Sequence, residues 1–82
     1  DNLLGVITAY PNPTSGKFIV NVPTSNSEVD IELYTLSSQL ISKGIYPVVN
    51  EKTQLSLENE ASGVYIVKIN LGTPVSLIVV KN

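Results

Sequence analysis

Polar and apolar residues alternate along residues 28–35, which read EVDIELYT. Val29, Ile31 and Leu33 fall on one side of this stretch, and its polar residues fall on the other. Successive side chains of a β-strand point to opposite faces, so a two-residue repeat indicates a strand with one face in a core and one in solvent. No window of the chain sustains the repeat of a helix, and the sequence therefore predicts an all-β fold.

Further stretches of this kind recur along the chain, with turn-forming residues between them. We interpret six as strands: residues 3–10, 17–22, 39–46, 51–57, 64–71 and 74–80. Their predicted inward-facing residues are Phe18, Val20, Val22, Thr53, Leu55, Leu57, Tyr65, Val67, Ile69 and Leu71. Gly44 is a candidate for a β-bulge or for a close approach of backbone. Strands and turns at roughly ten-residue spacing are typical of a β-sandwich or barrel.

The composition excludes several classes of function. The 82 residues contain no cysteine and no histidine and carry a formal net charge of −2. Disulfides, zinc fingers and most catalytic arrangements are therefore excluded, and no basic stripe is present to bind nucleic acid. No apolar run approaches the ~20 residues of a transmembrane helix. We expect a single domain over residues 1–82, with 1–5 as a linker or the start of the first strand.

The stretch YPNPTSG is predicted to form a rigid corner between the first two strands. Tyr10 and Asn12 each precede a proline and are pushed toward extended conformations, while Pro11 and Pro13 have φ fixed near about −65°. Gly16 is expected to supply a positive φ if the turn closes into a bulge. A corner that lowers the entropy of the unfolded chain is favoured over a ligand-binding loop.

Two groups of carboxylates are candidates for chemistry. Asp30 and Glu32 lie two residues apart on one predicted strand, and Glu58 and Glu60 flank Asn59 in a predicted turn. Paired carboxylates can serve acid–base catalysis or bind calcium. Nothing in the sequence completes either site, so the prediction is a solvated surface, with no catalytic residue, no metal and no cofactor.

The tyrosines allow two further interpretations. Tyr65, just after Gly63, is expected to pack in the core, and its position also suits a tyrosine corner, in which the hydroxyl bonds to upstream backbone. Tyr34 and Tyr46 could be exposed aromatics of a carbohydrate-binding module. Because they lie on different predicted strands, they do not form a platform in this interpretation.

The last strand is apolar on both faces. Leu77 and Val79 can face the core, while Ile78 and Val80 point the other way with nothing obvious to cover them. An exposed apolar edge strand favours β-augmentation, in which a receptor adds a strand of its own. We expect this segment to be the main recognition element, with the proline corner fixing the scaffold behind it. Its residues are Ser76, Leu77, Ile78, Val79, Val80, Lys81 and Asn82.

Four motifs occur in a fixed order along the chain. They are YPNPTSGKF at residues 10–18, VDIELYTLSSQLI at 29–41, SGVYIVKI at 62–69 and SLIVVKN at 76–82. Together they resemble the type A C-terminal sorting domains of type IX secretion cargo, and the resemblance covers residues 7–82. One departure is that Ser38 and Gln39 stand where the family usually has a glycine before a basic residue.

The resemblance implies an immunoglobulin-like antiparallel β-sandwich of about seven strands. Its structural motif residues in this chain are Tyr10, Pro11, Asn12, Pro13, Gly16, Gly63 and Tyr65. It also implies a non-catalytic C-terminal secretion signal, attached to an N-terminal cargo domain in Bacteroidota-type Gram-negative bacteria. The implied partners are the outer-membrane translocon, its shuttle proteins and a sortase-like cysteine protease that cleaves upstream of the first strand. The cargo would cross the periplasm and reach the cell surface.

Two alternatives remain open at this point. One is an immunoglobulin-like or fibronectin-like accessory module of an extracellular enzyme, which binds carbohydrate or spaces domains. The other is a structural adhesin repeat, which predicts further copies upstream. A sorting signal has to lie at the natural C-terminus of its protein, whereas a spacer does not.

Overall fold

The computed structural model describes residues 7–82, and within that range it contains seven strands and no helix. The strands are β1 Thr8–Tyr10, β2 Lys17–Asn21, β3 Glu28–Thr35, β4 Leu40–Pro47, β5 Lys52–Ser56, β6 Gly63–Leu71 and β7 Thr73–Lys81. The all-β prediction is confirmed. Of the described residues in the first predicted strand, Thr8–Tyr10 form β1 and Ile7 does not; residues 3–6 of that prediction, and the predicted linker 1–5, lie outside the described residues.

The strands form two antiparallel sheets, which pack as a sandwich. Sheet A has the order β1-β2-β5, and sheet B has the order β4-β3-β6-β7. β1 lies close to β7, and β4 lies close to β5, so the two sheets approach each other at both sides. This arrangement confirms the predicted antiparallel β-sandwich of about seven strands. Within the described part of the chain, no helix is long and apolar enough to cross a membrane.

The core lies between the sheets and consists of the residues that the alternation predicts. The buried apolar side chains are Phe18, Val20, Val22, Val29, Ile31, Leu33, Leu55, Leu57, Tyr65, Val67, Ile69 and Val79. Thr53 is also buried, and its hydroxyl donates to the Pro47 carbonyl at 2.7 Å. Leu71 is half-buried against the same cluster. Burial of each large apolar side chain contributes about 1.5–3 kcal/mol, so these inward faces stabilise the sandwich.

The bulge in sheet B lies at Ile41 and not at Gly44. Gly44 pairs regularly with Ile31, whereas the register shifts where Leu33 pairs with Ser42 and Tyr34 pairs with Leu40. The bulge predicted at Gly44 is therefore wrong, and no close backbone approach is found there either: a Cβ on Gly44 would meet only Cε1 of Tyr46, at 3.9 Å. The extra residue, Ile41, is half-buried and packs against the core, so the bulge adds an apolar contact close to the turn between β3 and β4.

The turn between β3 and β4 contains Ser38 in the left-handed region, with φ of 71°. Its amide donates to the Thr35 carbonyl, and the Thr35 amide donates to the Gln39 carbonyl, both at 2.9 Å. These bonds match a type I turn followed by a left-handed residue, a position that usually suits glycine. Serine therefore adopts here a backbone conformation that glycine adopts without steric cost.

A second tight turn joins the end of β4 to β5. Val49 and Lys52 exchange two backbone hydrogen bonds, of 2.9 and 3.0 Å, around Asn50 and Glu51. Asn50 has φ of 53° and Glu51 has φ of 62°. Two central residues with positive φ indicate a type I′ turn, for which Asn-Gly is the preferred sequence. Asparagine adopts the left-handed region more readily than other residues with a Cβ, so Glu51 is the more strained residue of this turn.

Gly16 is required for close packing and not for a positive φ. Its φ is not positive, so that sequence prediction is wrong. A Cβ placed on Gly16 would lie 2.6 Å from Cγ of Glu58 and 3.4 Å from its Cα. The Gly16 carbonyl also accepts a hydrogen bond from the Leu57 amide at 2.8 Å. The two chain segments thus approach too closely for a side chain.

Gly16→Ala should lower the free energy of unfolding by about 1–3 kcal/mol, because it overpacks the contact with Glu58. Urea denaturation of the purified domain measures the change. Glu58→Ala removes the clashing Cγ, so adding Gly16→Ala to that variant should have a much smaller effect. An equal loss in both backgrounds would contradict this explanation of the glycine.

Glu51→Gly should raise the free energy of unfolding by about 0.5–1 kcal/mol, since relief of left-handed strain exceeds the added entropy of the unfolded chain. Glu51→Ala is the matched control, because it removes the same charge but keeps the Cβ. Thermal unfolding should show a higher midpoint temperature for Glu51→Gly and no such increase for Glu51→Ala. A similar shift in both variants would mean that the charge, and not the backbone, is responsible.

Candidate functional site

The proline corner and the last strand are in direct contact. The Asn12 side-chain amide donates from Nδ2 to the Ile78 carbonyl at 2.9 Å, and its Oδ1 accepts from the Val80 amide at 2.9 Å. One side chain therefore bonds to the outer edge of β7 as a peptide group of a neighbouring strand would. The Tyr10-Pro11 and Asn12-Pro13 peptide bonds of the corner are both cis.

Thr14 continues this pairing along β7. Its amide donates to the Val80 carbonyl at 2.8 Å, and its carbonyl accepts from the Asn82 amide at 2.9 Å. Thr14 and Lys81 form a parallel bridge. The Thr14 side chain is buried, and its hydroxyl donates to the Lys17 carbonyl at 2.7 Å. We name residues 12–14 the elbow; it runs beside the C-terminal half of β7.

The contact between the elbow and β7 differs from the arrangement that the sequence predicts. The sequence interpretation places the corner behind β7 as support, whereas the structure places it on the outer edge of β7 itself. The edge at Ile78, Val80 and Asn82 is consequently occupied by the chain's own elbow. Any partner strand that pairs with this half must first displace Asn12 and Thr14.

A row of apolar residues crosses the solvent-facing side of sheet B. Four residues on neighbouring strands pair in sequence across the sheet: Ile78 with Ile66, Ile66 with Tyr34, and Tyr34 with Leu40. Ile78 is 60% exposed and Leu40 is 53% exposed, so both ends of the row are open to water. We name Leu40, Tyr34, Ile66 and Ile78 the apolar row. Val64 and Val80 form a further cross-strand pair on the same face.

Side chains along β7 are alternately more and less buried, as its sequence predicts. Val79 is fully buried and Leu77 is half-buried against the core, whereas Ile78 is largely exposed and Val80 is half-buried. Lys81 is not free for recognition, because its ammonium donates to the Glu60 carbonyl at 2.6 Å. Among the predicted recognition residues, Ser76, Ile78 and Asn82 are the exposed ones.

Glu32, one of the candidate acidic residues, makes polar contacts next to the apolar row. The Tyr34 hydroxyl donates to Oε1 of Glu32 at 2.6 Å, and Nζ of Lys68 lies 3.9 Å from the same oxygen. The hydrogen bond to Glu32 is the main cause that raises the pKa of Tyr34, with smaller contributions from burial and from the negative charge of Glu32. These contacts indicate a structural role for Glu32. In residues 7–82, no three acidic groups lie close enough together to hold a metal ion.

The remaining tyrosines have separate positions. Tyr65 is buried in the core, and its hydroxyl donates to the Ala61 carbonyl at 2.5 Å, the kind of upstream bond that defines a tyrosine corner. Tyr46 packs half-buried against the core, whereas Tyr34 is on the outer face of sheet B. These two tyrosines therefore do not form a joint platform for a sugar.

Two shallow pockets lie on the outer face of sheet A. Ile19 and Gln54 line both pockets, and Tyr10 contributes an exposed aromatic ring to one of them. The other lining residues are Pro11, Lys17 and Phe18 in one pocket, and Pro47, Val49, Lys52 and Thr53 in the other. A single tyrosine beside an amide and two lysines supplies neither paired carboxylates nor a stacking surface of two rings. Neither pocket therefore has the side chains of these two kinds of site.

The motif residues found by sequence meet at one end of the sandwich. Gly63 pairs with Lys81 and Tyr65 pairs with Val79, while the elbow pairs with the other side of β7. The sequence identified these residues but did not bring Asn12 to β7, because the two are 66 positions apart. A signal that could have suggested the contact is Asn12 itself, since its amide matches the hydrogen-bonding groups of a peptide.

Asn12→Ala should remove both hydrogen bonds to β7 and lower the free energy of unfolding by about 1–2 kcal/mol. The local readout is the Val80 amide, whose hydrogen exchange should accelerate by about tenfold or more when Oδ1 is lost. Asn26→Ala is the control, because Asn26 lies in an exposed turn and its side chain has no described hydrogen bond. An unchanged Val80 exchange rate in Asn12→Ala would contradict the assigned contact.

The chain matches a known family and a curated relative. Residues 8–81 match the family described as the secretion system C-terminal sorting domain. The chain is also similar to beta-agarase A of Zobellia galactanivorans, with 37% identity over 70 residues, which cover 85% of this chain and 12% of the agarase. This chain thus spans only a small part of that relative's length.

The family match covers all four sequence motifs except Asn82, the final residue of the last motif. It covers the elbow, the glycine-tyrosine start of β6 and nearly all of β7, which the structure brings together at one end of the sandwich. From its sequence and its match, the chain belongs to the family of secretion-system C-terminal sorting domains.

Proposed function

We propose that this domain is the C-terminal signal of type IX secretion cargo, of type A. It directs an N-terminal cargo domain through the outer-membrane translocon to the cell surface and catalyses nothing itself. The observation that carries this proposal is the family match over residues 8–81. The structure is consistent with it, since the motif residues build a surface around β7 and no cluster of reactive side chains.

The relative supports the proposed attachment to a cargo. Because the match covers 12% of beta-agarase A, most of that enzyme lies outside the matched region. A small β-sandwich joined to a larger catalytic part is the arrangement expected of a sorting tail and its cargo. We extend the arrangement to this chain and propose that its cargo is a separate N-terminal domain that crosses the periplasm before reaching the surface.

The partners of this proposal follow the transport route. Shuttle proteins and the translocon recognise the domain, and a sortase-like cysteine protease removes it by cleavage upstream of β1. Recognition involves the last strand, Ser76–Asn82, as the sequence predicts. The exposed apolar side chain of Ile78 supports this choice, because a receptor gains free energy by burying it.

A fusion of residues 1–82 to the C-terminus of a periplasmic reporter tests the proposal. The reporter should become accessible to external protease and antibody in a host that has the translocon, and should remain periplasmic in an isogenic host that lacks it. The reporter without the domain is the control. Surface exposure in the host without the translocon, or periplasmic retention in both hosts, would favour an accessory module instead.

Truncation is unsuitable as the test, because it damages the fold. Removal of Val79–Asn82 would delete a fully buried core side chain and the partners of Asn12 and Thr14. A loss of export after this truncation would therefore not distinguish recognition from folding. Surface substitutions that leave the core intact are needed to locate the contact.

A further inference from the structure

β1 lies close to the outer edge of β7, but the described hydrogen bonds to that edge come from the elbow alone and reach only one of its halves. The elbow forms hydrogen bonds with the carbonyl of Ile78, the amide and carbonyl of Val80 and the amide of Asn82. Backbone groups of successive strand residues point alternately to the two sides of the strand. The peptide groups of Ser76 consequently point to the same outer side as those of Val80, beyond the end of the elbow.

These upstream groups have no partner among residues 7–82. They are the carbonyl of Pro74, the amide and carbonyl of Ser76 and the amide of Ile78. Exposed backbone groups in this geometry form a template for another strand. We name the stretch Val75–Ile78 the open half-edge.

The open half-edge lacks the features that protect an edge strand from pairing. Its four residues, VSLI, carry no charge, and β7 pairs with β6 in a continuous register without a bulge. The opposite edge of the same sheet is β4, which contains Lys43, Pro47 and the bulge at Ile41. Charges, proline and bulges are the devices by which natural sheets block edge pairing. β7 has a proline and a lysine as well, Pro74 and Lys81, but both lie outside Val75–Ile78, so this stretch of the edge carries no such device.

We propose that a partner protein adds an extended strand to the open half-edge, and that the elbow limits this pairing to Val75–Ile78. The inference rests on the proposed function, in that the partner is a receptor of the secretion machinery. The partner strand is short where it pairs, because the open half-edge spans four residues. It carries an apolar side chain beside Ile78, because that residue ends the apolar row and is 60% exposed.

The elbow has a defined task in this proposal. With Asn12 bonded to Ile78 and Val80, a partner strand cannot pair beyond Ile78 without breaking those bonds. The elbow thereby blocks a shift of the partner strand toward Val80, and a shift by one residue would move its apolar side chain to the other face. The recognition element is thus smaller than Ser76–Asn82 and extends one residue further upstream.

Paired substitutions on the two edges of sheet B test the proposal in the reporter fusion. Ile78→Lys introduces a charge at the end of the apolar row, and Ser76→Pro removes an outward amide of the open half-edge. Ile45 is the matched control position on β4: it is 61% exposed, close to the value for Ile78. Because the Val48 amide bonds to the Ser27 carbonyl, the alternation directs the Ile45 amide to the outer edge as well.

Ile78→Lys and Ser76→Pro should each reduce surface delivery by about tenfold or more, as expected for a loss of about 1.4 kcal/mol in receptor binding. Ile45→Lys and Ile45→Pro should deliver the reporter as the unmodified domain does. Thermal unfolding of each purified domain identifies variants that fail to fold. Ile78→Lys replaces an exposed side chain, so it keeps the test decisive if Ser76→Pro unfolds.

The possible outcomes separate this inference from the proposed function. If the unmodified domain does not deliver the reporter, the proposed function fails. If it does, and folded Ile78→Lys and Ser76→Pro variants deliver as well as the Ile45 variants, the open half-edge is not the docking site and only this inference is overturned. If the variants at Ile45 and Ile78 reduce delivery equally, the contact is the face of sheet B and not the edge, which also overturns it.

Discussion

The two hydrogen bonds from Asn12 to β7 connect the first part of the chain to the last. β1 belongs to sheet A and β7 to sheet B, so the elbow that leaves β1 ties the two sheets together at one side of the sandwich. Thr14 completes the connection with two backbone bonds and a buried side chain. A single hydrogen bond contributes only about 1 kcal/mol, but four bonds on one short segment fix its position.

The same contact determines which surface remains for a partner. Without the elbow, the whole outer edge of β7 would be open, and an open edge invites pairing with any exposed strand. With it, the outward groups left without a partner among the described residues are the carbonyl of Pro74, both peptide groups of Ser76 and the amide of Ile78. Closing half of an edge thus leaves a short stretch of backbone open while limiting unspecific association with other strands.

The domain obtains its stability without disulfides, from a core of alternating side chains and from tight turns. A chain of this length buries only about 60% of the surface of its unfolded form, so its stability is sensitive to single residues in turns and close contacts. Gly16 allows two segments to approach closely, whereas Ser38 and Glu51 hold strained backbone conformations. The sequence is therefore not optimised for stability at every turn, as is usual for natural domains.

Much of the fold follows from the sequence alone. The two-residue alternation identifies the strands and their inward faces, because that period is a local property of an extended backbone. The tertiary structure decided where the bulge lies, why residue 16 is glycine, and that the elbow covers β7. Asn12 and Ile78 are 66 positions apart, and no periodicity relates them. Every residue except proline carries the same backbone donor and acceptor, so residue types do not reveal which stretch of an edge stays unpaired; only the packing of distant segments does.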